Sequence, residues 1–129
     1  METLKIALFG ATTLSGERLM REALGRGYDV SAITPYPARV TLHHPNLTIV
    51  RGDASNKTDV IEKIKNHDVV VSAYDVNTHP IEHFRHARIL IEAVNNKNVR
   101  QLILLGHPGK EMDNTVPVPA NAEAWKIVG

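Results

Sequence analysis

The chain has 129 residues, of which 43% are hydrophobic and 22% are charged, a balance typical of one globular domain with one core. Its net charge of +1, from 15 basic and 14 acidic residues, gives no electrostatic case for binding nucleic acid or an anionic membrane. The chain has no cysteine, which excludes disulfides and thiolate chemistry. It shows neither a signal-peptide pattern nor an apolar stretch near the roughly 20 residues of a membrane span, so we expect a cytoplasmic protein.

Short apolar runs alternate with helix-like patterns along the chain. The runs predict strands at Leu4–Phe9, Tyr28–Thr34, Leu47–Val50, Asp68–Ala73 and Gln101–Leu105. Apolar residues at helical spacing predict helices at Leu14–Leu24, Thr58–Asn66 and Pro80–Val94. The segment Pro35–Asn46 is predicted to be a loop or a short turn of helix, because its prolines interrupt any longer helix.

The later strands indicate how the sheet is covered. Val69–Val71 and Leu102–Leu105 are apolar without alternation, as expected of strands that have helices on both faces of a parallel sheet. Strand–helix alternation with right-handed crossovers then predicts a single-domain α/β fold. We expect a doubly wound, Rossmann-like parallel sheet of about five strands in the order 3-2-1-4-5.

The first strand–helix turn is built like a phosphate-binding loop. It reads Gly10-Ala11-Thr12-Thr13-Leu14-Ser15-Gly16. A glycine at its start permits a tight turn, backbone amides at about residues 13–15 would face a pyrophosphate, and a glycine at its end brings the helix close to the sheet. Hydroxyl groups of Thr12, Thr13 and Ser15 are further candidate donors. The alternative is a tight turn that holds no ligand.

The segment after the second strand bears on the choice of dinucleotide. NAD-binding proteins commonly have an acidic residue there to hold the ribose hydroxyls, and Ala32–Arg39 contains none. This absence favours NADP over NAD. Thr34 at the strand end is a candidate contact, and Arg39 could reach a 2′-phosphate from the loop. A solvated surface arginine is the open alternative.

Lys5–Gly16 resembles the atypical short-chain dehydrogenases of the NmrA-like group, and within it the NADH-flavin reductases. His44–Ala54 is similar to their third strand and following loop, and Asn66–Tyr74 to their fourth strand. The resemblance extends over about residues 3–106 and implies an NAD(P)-binding Rossmann fold. It also implies that Asp53 and Ala54 border the adenine and that Ser72, Ala73 and Tyr74 border the nicotinamide ribose. Asp53 could instead cap the following turn.

Two departures from this group bear on function. The group usually has glycine at the position of Thr13, and a positive φ there would penalise threonine and weaken cofactor binding.

The chain is also shorter than members of the group. We expect residues 1–106 to form the NAD(P)-binding domain and residues 107–129 a proline-containing tail on or beside it, with Asn121–Val128 resembling the start of a helix. We also expect an open edge at the fifth strand, self-association as a homodimer, and little reductase activity.

No catalytic residue is predicted. Short-chain dehydrogenases often use a tyrosine and a lysine four residues later. The residues at that spacing after Tyr28, Tyr36 and Tyr74 are Ala32, Val40 and Thr78. Transfer of a hydride to FMN or another small acceptor would need only that the cofactors be positioned. The rival interpretations are a dinucleotide-sensing or docking module without turnover, and a degenerate Rossmann domain used for protein–protein contact.

Histidines cluster at the start of the longest predicted helix, at His79, His83 and His86. A zinc site usually has three or four ligands in tetrahedral geometry, and no cysteine or suitably spaced acidic residue completes one here. We therefore expect a solvent-facing cluster that titrates with pH, and no metal site.

Overall fold

The computed structural model describes residues 3–74, 80–95, 99–105 and 125–128. The strands are β1 (Lys5–Phe9), β2 (Asp29–Thr34), β3 (Leu47–Arg51), β4 (Val69–Ser72), β5 (Gln101–Leu105) and β6 (Trp125–Val128). The helices are α1 (Leu14–Gly25), α2 (Lys57–Lys63) and α3 (Pro80–Val94), with a short 3₁₀ helix at Pro37–Arg39. No helix in these described ranges is long and apolar enough to cross a membrane.

All strand pairs in the sheet are parallel, in the order β3-β2-β1-β4-β5-β6. The predicted order of the first five strands is confirmed. Chain order reverses between β1 and β4, so the crevice where doubly wound folds bind ligands lies above the carboxyl ends of these two strands. The loops after β1, β2, β3 and β4 therefore meet at one edge of the sheet.

The sixth strand was not expected. Trp125–Val128 pairs with Leu102–Leu105 of β5, so the predicted helix start at Asn121–Val128 is wrong within its described part. Tryptophan, isoleucine and valine favour extended backbone, and pairing with β5 decides the conformation of so short a segment. The β5 edge is therefore covered. The open edge was a reason to expect a homodimer, and that reason no longer applies. The homodimer itself stays a prediction.

Two apolar layers explain why the strands lack a clear alternation. Phe9 and Val70 contribute to the layer beneath α2 and α3, whereas Leu8 and Val71 contribute to the layer beneath α1. Adjacent residues of a strand point to opposite faces, and here both faces are buried. The central strands are thus fixed from both sides, which gives the loops at their carboxyl ends a rigid base.

Candidate functional site

Two glycines shape the turn between β1 and α1. Gly10 has a φ of +85°, and a Cβ there would lie 3.2 Å from the carbonyl carbon of Ala73. A Cβ at Gly16 would overlap the carbonyl oxygen of Gly10. The close approach of α1 to the turn therefore requires glycine at Gly16, whereas the positive φ and the nearby end of β4 favour glycine at Gly10. The spacing of the two glycines thus follows from the observed packing and backbone conformation.

Thr13 begins α1 as its N-cap, with φ −81° and ψ 161°. The φ is negative, so threonine carries no backbone penalty at the position where the resembled group has glycine. Its Oγ1 accepts a hydrogen bond from the Gly16 amide at 2.9 Å. The same hydroxyl lies within donating distance of the carbonyl oxygens of Gly10, at 2.8 Å, and Ala73, at 3.1 Å. Thr13 thus ties the turn to the end of β4.

The amides that follow Thr13 are the groups left for a ligand. The Thr13 amide donates to the Gly10 carbonyl at 3.1 Å, and the Gly16 amide is used by the cap. Within the described part of the chain, the Leu14 and Ser15 amides donate to no protein group. These first-turn N–H groups lie at the positive end of the helix dipole, which favours an anion.

The loop after β2 lies beside this turn. Thr34 is buried, and its Oγ1 accepts from the Tyr36 amide at 3.0 Å. The Arg39 guanidinium lies over the Tyr36 ring, 4.4 Å from its centroid. A cavity of about 80 Å³ is lined by Arg39, Thr12 and Glu17, among others. Arg39 is exposed, as expected of a solvated surface arginine, and it also lines this cavity beside the turn before α1, as expected of a residue that could reach a 2′-phosphate there.

Arg51, at the end of β3, is a residue that the sequence analysis did not single out. Its Nη1 donates to the Pro35 carbonyl at 2.9 Å, which ties the end of β3 to the loop after β2. Its register partner in the sheet is Thr34. The sequence did hold a signal for this contact. Arg51 is a basic residue at the carboxyl end of a strand that is predicted to lie next to β2.

The loop after β3 is held by its own hydrogen bonds. Asp53 Oδ1 accepts from the Ser55 amide at 2.9 Å and from the Ser55 hydroxyl at 2.6 Å, so the turn-capping role left open for Asp53 is present. These bonds lower the pKa of Asp53. The Asp53 amide donates to Asp59 Oδ2 at 2.7 Å, and Ala54 is buried. The loop is therefore preformed.

The end of β4 brings three predicted residues to the crevice. Ser72 and Ala73 are buried, and Ala73 donates its amide to the Phe9 carbonyl at 2.8 Å. The Ser72 hydroxyl has no hydrogen-bond partner among the described residues. The ring of Tyr74 meets that of His86 edge-on, with centroids 4.6 Å apart.

The predicted histidine cluster is wrong for His86. This residue is 8% exposed, because it lies on the side of α3 that carries Ala87 and Leu90 into the core. Its positive form would also lower the pKa of Asp53, so it lies within electrostatic reach of the β3 loop. His79 and the His83 side chain lie outside the described residues. Among those described, no group of three or more potential ligands could hold a metal.

The pKa of Asp59 is lowered below its ordinary value of 3.8, first by the Asp53 amide and then by Lys63. The ionised form therefore stabilises the fold above pH 3.8, and this contribution is lost as the pH falls through the lowered pKa. Asp59→Asn keeps an oxygen for the amide but removes the charge. We expect it to lower the free energy of unfolding by about 1 kcal/mol at neutral pH.

This difference between parent and variant should disappear in acid, and chemical denaturation over a pH series measures it. Glu22→Gln is the matched control, since it removes only an exposed ion pair with Arg26 and should change stability less. A difference that persists below the lowered pKa would show that the carboxylate charge is not its source.

The comparisons with known proteins agree with this geometry. Residues 10–127 match a family model described as NAD(P)H-binding. The chain belongs to this NAD(P)H-binding family. The match begins at Gly10, the first residue of the turn, and extends into β6. A search of curated proteins found no match.

Solved structures share the fold of this NAD(P)H-binding chain. A candidate epimerase from Bacteroides thetaiotaomicron is 28% identical with a TM-score of 0.71, over 93% of this chain and 58% of that one. The Bordetella bronchiseptica enzyme WbmH, solved with NAD+, is 21% identical with a TM-score of 0.65, over 81% and 39%. The oxidoreductase ylbE from Lactococcus lactis is 19% identical with a TM-score of 0.68, over 79% and 48%. The chain thus spans about half the length of these structures.

Proposed function

We propose that this chain binds NADPH across the carboxyl ends of β1, β2, β3 and β4, with the pyrophosphate on the turn before α1. The observation that carries the proposal is the pair of amides at Leu14 and Ser15 that donate to no described protein group, behind a turn that requires glycine at Gly16 and favours it at Gly10. Thr13 supports the same arrangement, because its cap fixes the turn before any ligand arrives. A preformed anion site loses little conformational entropy on binding.

The proposed contacts follow the loops in order. The pyrophosphate would lie on the first turn, the adenosine beside the loops after β2 and β3, and the nicotinamide ribose beside the end of β4. The full proposed set is Gly10, Thr12, Thr13, Leu14, Ser15, Gly16, Thr34, Arg39, Asp53, Ala54, Ser72, Ala73 and Tyr74.

Two arginines support a preference for the 2′-phosphate of NADPH. Arg39 lines a cavity beside the turn before α1, and Arg51 donates to the Pro35 carbonyl in the loop after β2. No acidic residue lies between Ala32 and Arg39 to bind a free ribose hydroxyl. Glu17 lines the same cavity as Arg39, but its carboxylate is paired with Arg21 at 3.0 Å. The balance of charge favours a phosphate over a hydroxyl.

Thermal shift with each dinucleotide tests the preference. A ligand at about 100 times its dissociation constant stabilises a protein by about 2.7 kcal/mol, so NADPH should raise the melting temperature more than NADH does. Arg39→Ala should weaken NADPH binding by about tenfold and leave NADH binding almost unchanged. Arg26→Ala, at the far end of α1, is the control. Stronger stabilisation by NADH would contradict the preference, and no stabilisation by either would contradict dinucleotide binding.

We further propose that this chain holds NADPH so that its hydride would pass, at a low rate, to FMN or another small acceptor, in the manner of the NADH-flavin reductases that the sequence resembles. NADPH supplies the hydride, and the residues of this chain would bind and orient it. A second candidate is a dinucleotide-binding module without turnover, which is favoured because no tyrosine in the chain is followed by a lysine four residues later. Saturable NADPH oxidation on addition of FMN supports the reductase. Binding without oxidation supports the module.

A further inference from the structure

A second polar cleft lies at the opposite edge of the sheet from the proposed dinucleotide site. It has a volume of about 490 Å³ and is lined at the amino ends of the strands by Lys5, Asp29, Ser31, Lys65 and His67, among others. Lys5 and Asp29 begin β1 and β2, and His67 lies just before β4. The volume is in the range of small-molecule sites, which is about 300–1,000 Å³. None of the proposed dinucleotide contacts lines this cleft.

Ser31 and His67 are hydrogen-bonded within this cleft. His67 Nδ1 lies 2.9 Å from the Lys65 carbonyl oxygen, and its Nε2 lies 2.9 Å from Ser31 Oγ. A carbonyl oxygen only accepts, so Nδ1 carries the proton. Neutral imidazole then presents an Nε2 lone pair, to which the Ser31 hydroxyl donates. The ring is thus held in the orientation and tautomer in which it can remove the hydroxyl proton.

This arrangement has the parts that activate a serine nucleophile: a hydroxyl, a base in hydrogen-bond contact with it, and a third group that orients the base. Lys65 is paired with Glu62 at 2.9 Å. Lys5 lines the cleft and has no ion-pair partner among the described residues, so we assign its ammonium to the negative charge that would develop there. Ser31 is partly exposed, so its oxygen can be reached from the cleft.

We propose that Ser31 accepts acyl groups from small esters, with His67 as the base. Ser31 Oγ attacks the ester carbonyl carbon while its proton passes to His67 Nε2. The bond from carbon to the leaving oxygen then breaks, and the departing alcohol takes the proton from Nε2. Water next attacks the acyl-serine, His67 returns the water proton to Ser31 Oγ, and a carboxylic acid is released. This activity is independent of dinucleotide binding.

Para-nitrophenyl acetate is the probe for this site. We expect a burst of nitrophenolate, one acetyl group on the intact protein by mass spectrometry, and peptide mapping of that group to Ser31. Ser31→Ala should abolish the burst and the adduct. His67→Gln should slow acylation of Ser31 by about a hundredfold, the lower range for general-base catalysis. Both variants should retain the NADPH response of the parent protein.

Exposed imidazoles also hydrolyse this ester, so total turnover does not identify the nucleophile. His43→Gln, which removes an exposed histidine that does not line this cleft, is the matched control and should leave the Ser31 adduct unchanged. No adduct on the parent protein, an adduct on lysine in place of Ser31, or unchanged Ser31 acylation in His67→Gln would each overturn the proposal. If Ser31→Ala fails to fold, the mapped adduct and the His67→Gln rate decide between these outcomes.

Discussion

Gly16→Ala is expected to abolish detectable NADPH binding and to lower the free energy of unfolding by about 1–3 kcal/mol, the range for overpacking. The new methyl group would overlap the carbonyl oxygen of Gly10, which is backbone and cannot move aside as a flexible side chain could. Relief requires α1 to withdraw from the turn. That movement displaces the Leu14 and Ser15 amides from the positions in which they would hold a pyrophosphate.

Gly25→Ala is the matched control in the same helix. A Cβ at Gly25 meets nothing within 4 Å, so this variant should bind NADPH as the parent does. It should gain about 0.4–1 kcal/mol of stability, because alanine loses less backbone entropy on folding. Denaturation and NADPH titration of both variants measure the contrast. If Gly16→Ala does not fold, Gly10→Ala, strained at a φ of +85°, gives a second test of the turn. Normal binding by a folded Gly16→Ala protein would show that the phosphate does not lie on this turn.

Thr13 is expected to stabilise the turn and not to obstruct it. Thr13→Val keeps the shape of the side chain but removes the bonds to Gly16, Gly10 and Ala73. Loss of such an N-cap typically costs about 0.5–2 kcal/mol, and we expect NADPH binding to weaken by about tenfold as the turn loosens. Thr13→Ser retains the hydroxyl and should stay close to the parent in both measurements.

Thr13→Gly tests whether Thr13 supports cofactor binding, as proposed here, or weakens it relative to the glycine of the resembled group. A positive φ would have made glycine the better residue, but the observed φ is −81°. Because glycine is itself a tolerated N-cap, the stability loss should be smaller than that of Thr13→Val. NADPH binding should not improve. Tighter binding by Thr13→Gly would show that the threonine side chain hinders the cofactor.

The sequence predicted those parts of the fold that rest on repeated pattern. Five strands and their order follow from apolar runs separated by helical segments, and the structure confirms them. The short strand Trp125–Val128 was missed, because four residues show too little periodicity to separate the start of a helix from a strand. Its conformation is decided by pairing with β5, which is a tertiary contact.

In the candidate site, too, some features could be predicted from the sequence and others depend on tertiary contacts. The glycine spacing at Gly10 and Gly16 is visible in the sequence because backbone overlap at Gly16 and a positive φ at Gly10 both select this residue type. The sequence showed that the sign of φ at Thr13 matters, but only the structure gives that sign, which is negative. The contact between Tyr74 and His86 depends on how α3 packs on the sheet, so residue spacing along the helix could not place His86 in the interior.

The most direct test of dinucleotide binding at the first turn is a titration with NADPH followed by amide chemical shifts in two-dimensional NMR. We expect the largest saturable changes at the Leu14 and Ser15 amides, smaller changes at Thr34 and Tyr74, and none at Asn66 on the opposite edge of the sheet. Saturable changes centred on the amino-end edge, or no change at Leu14 and Ser15 at millimolar NADPH, would contradict the account.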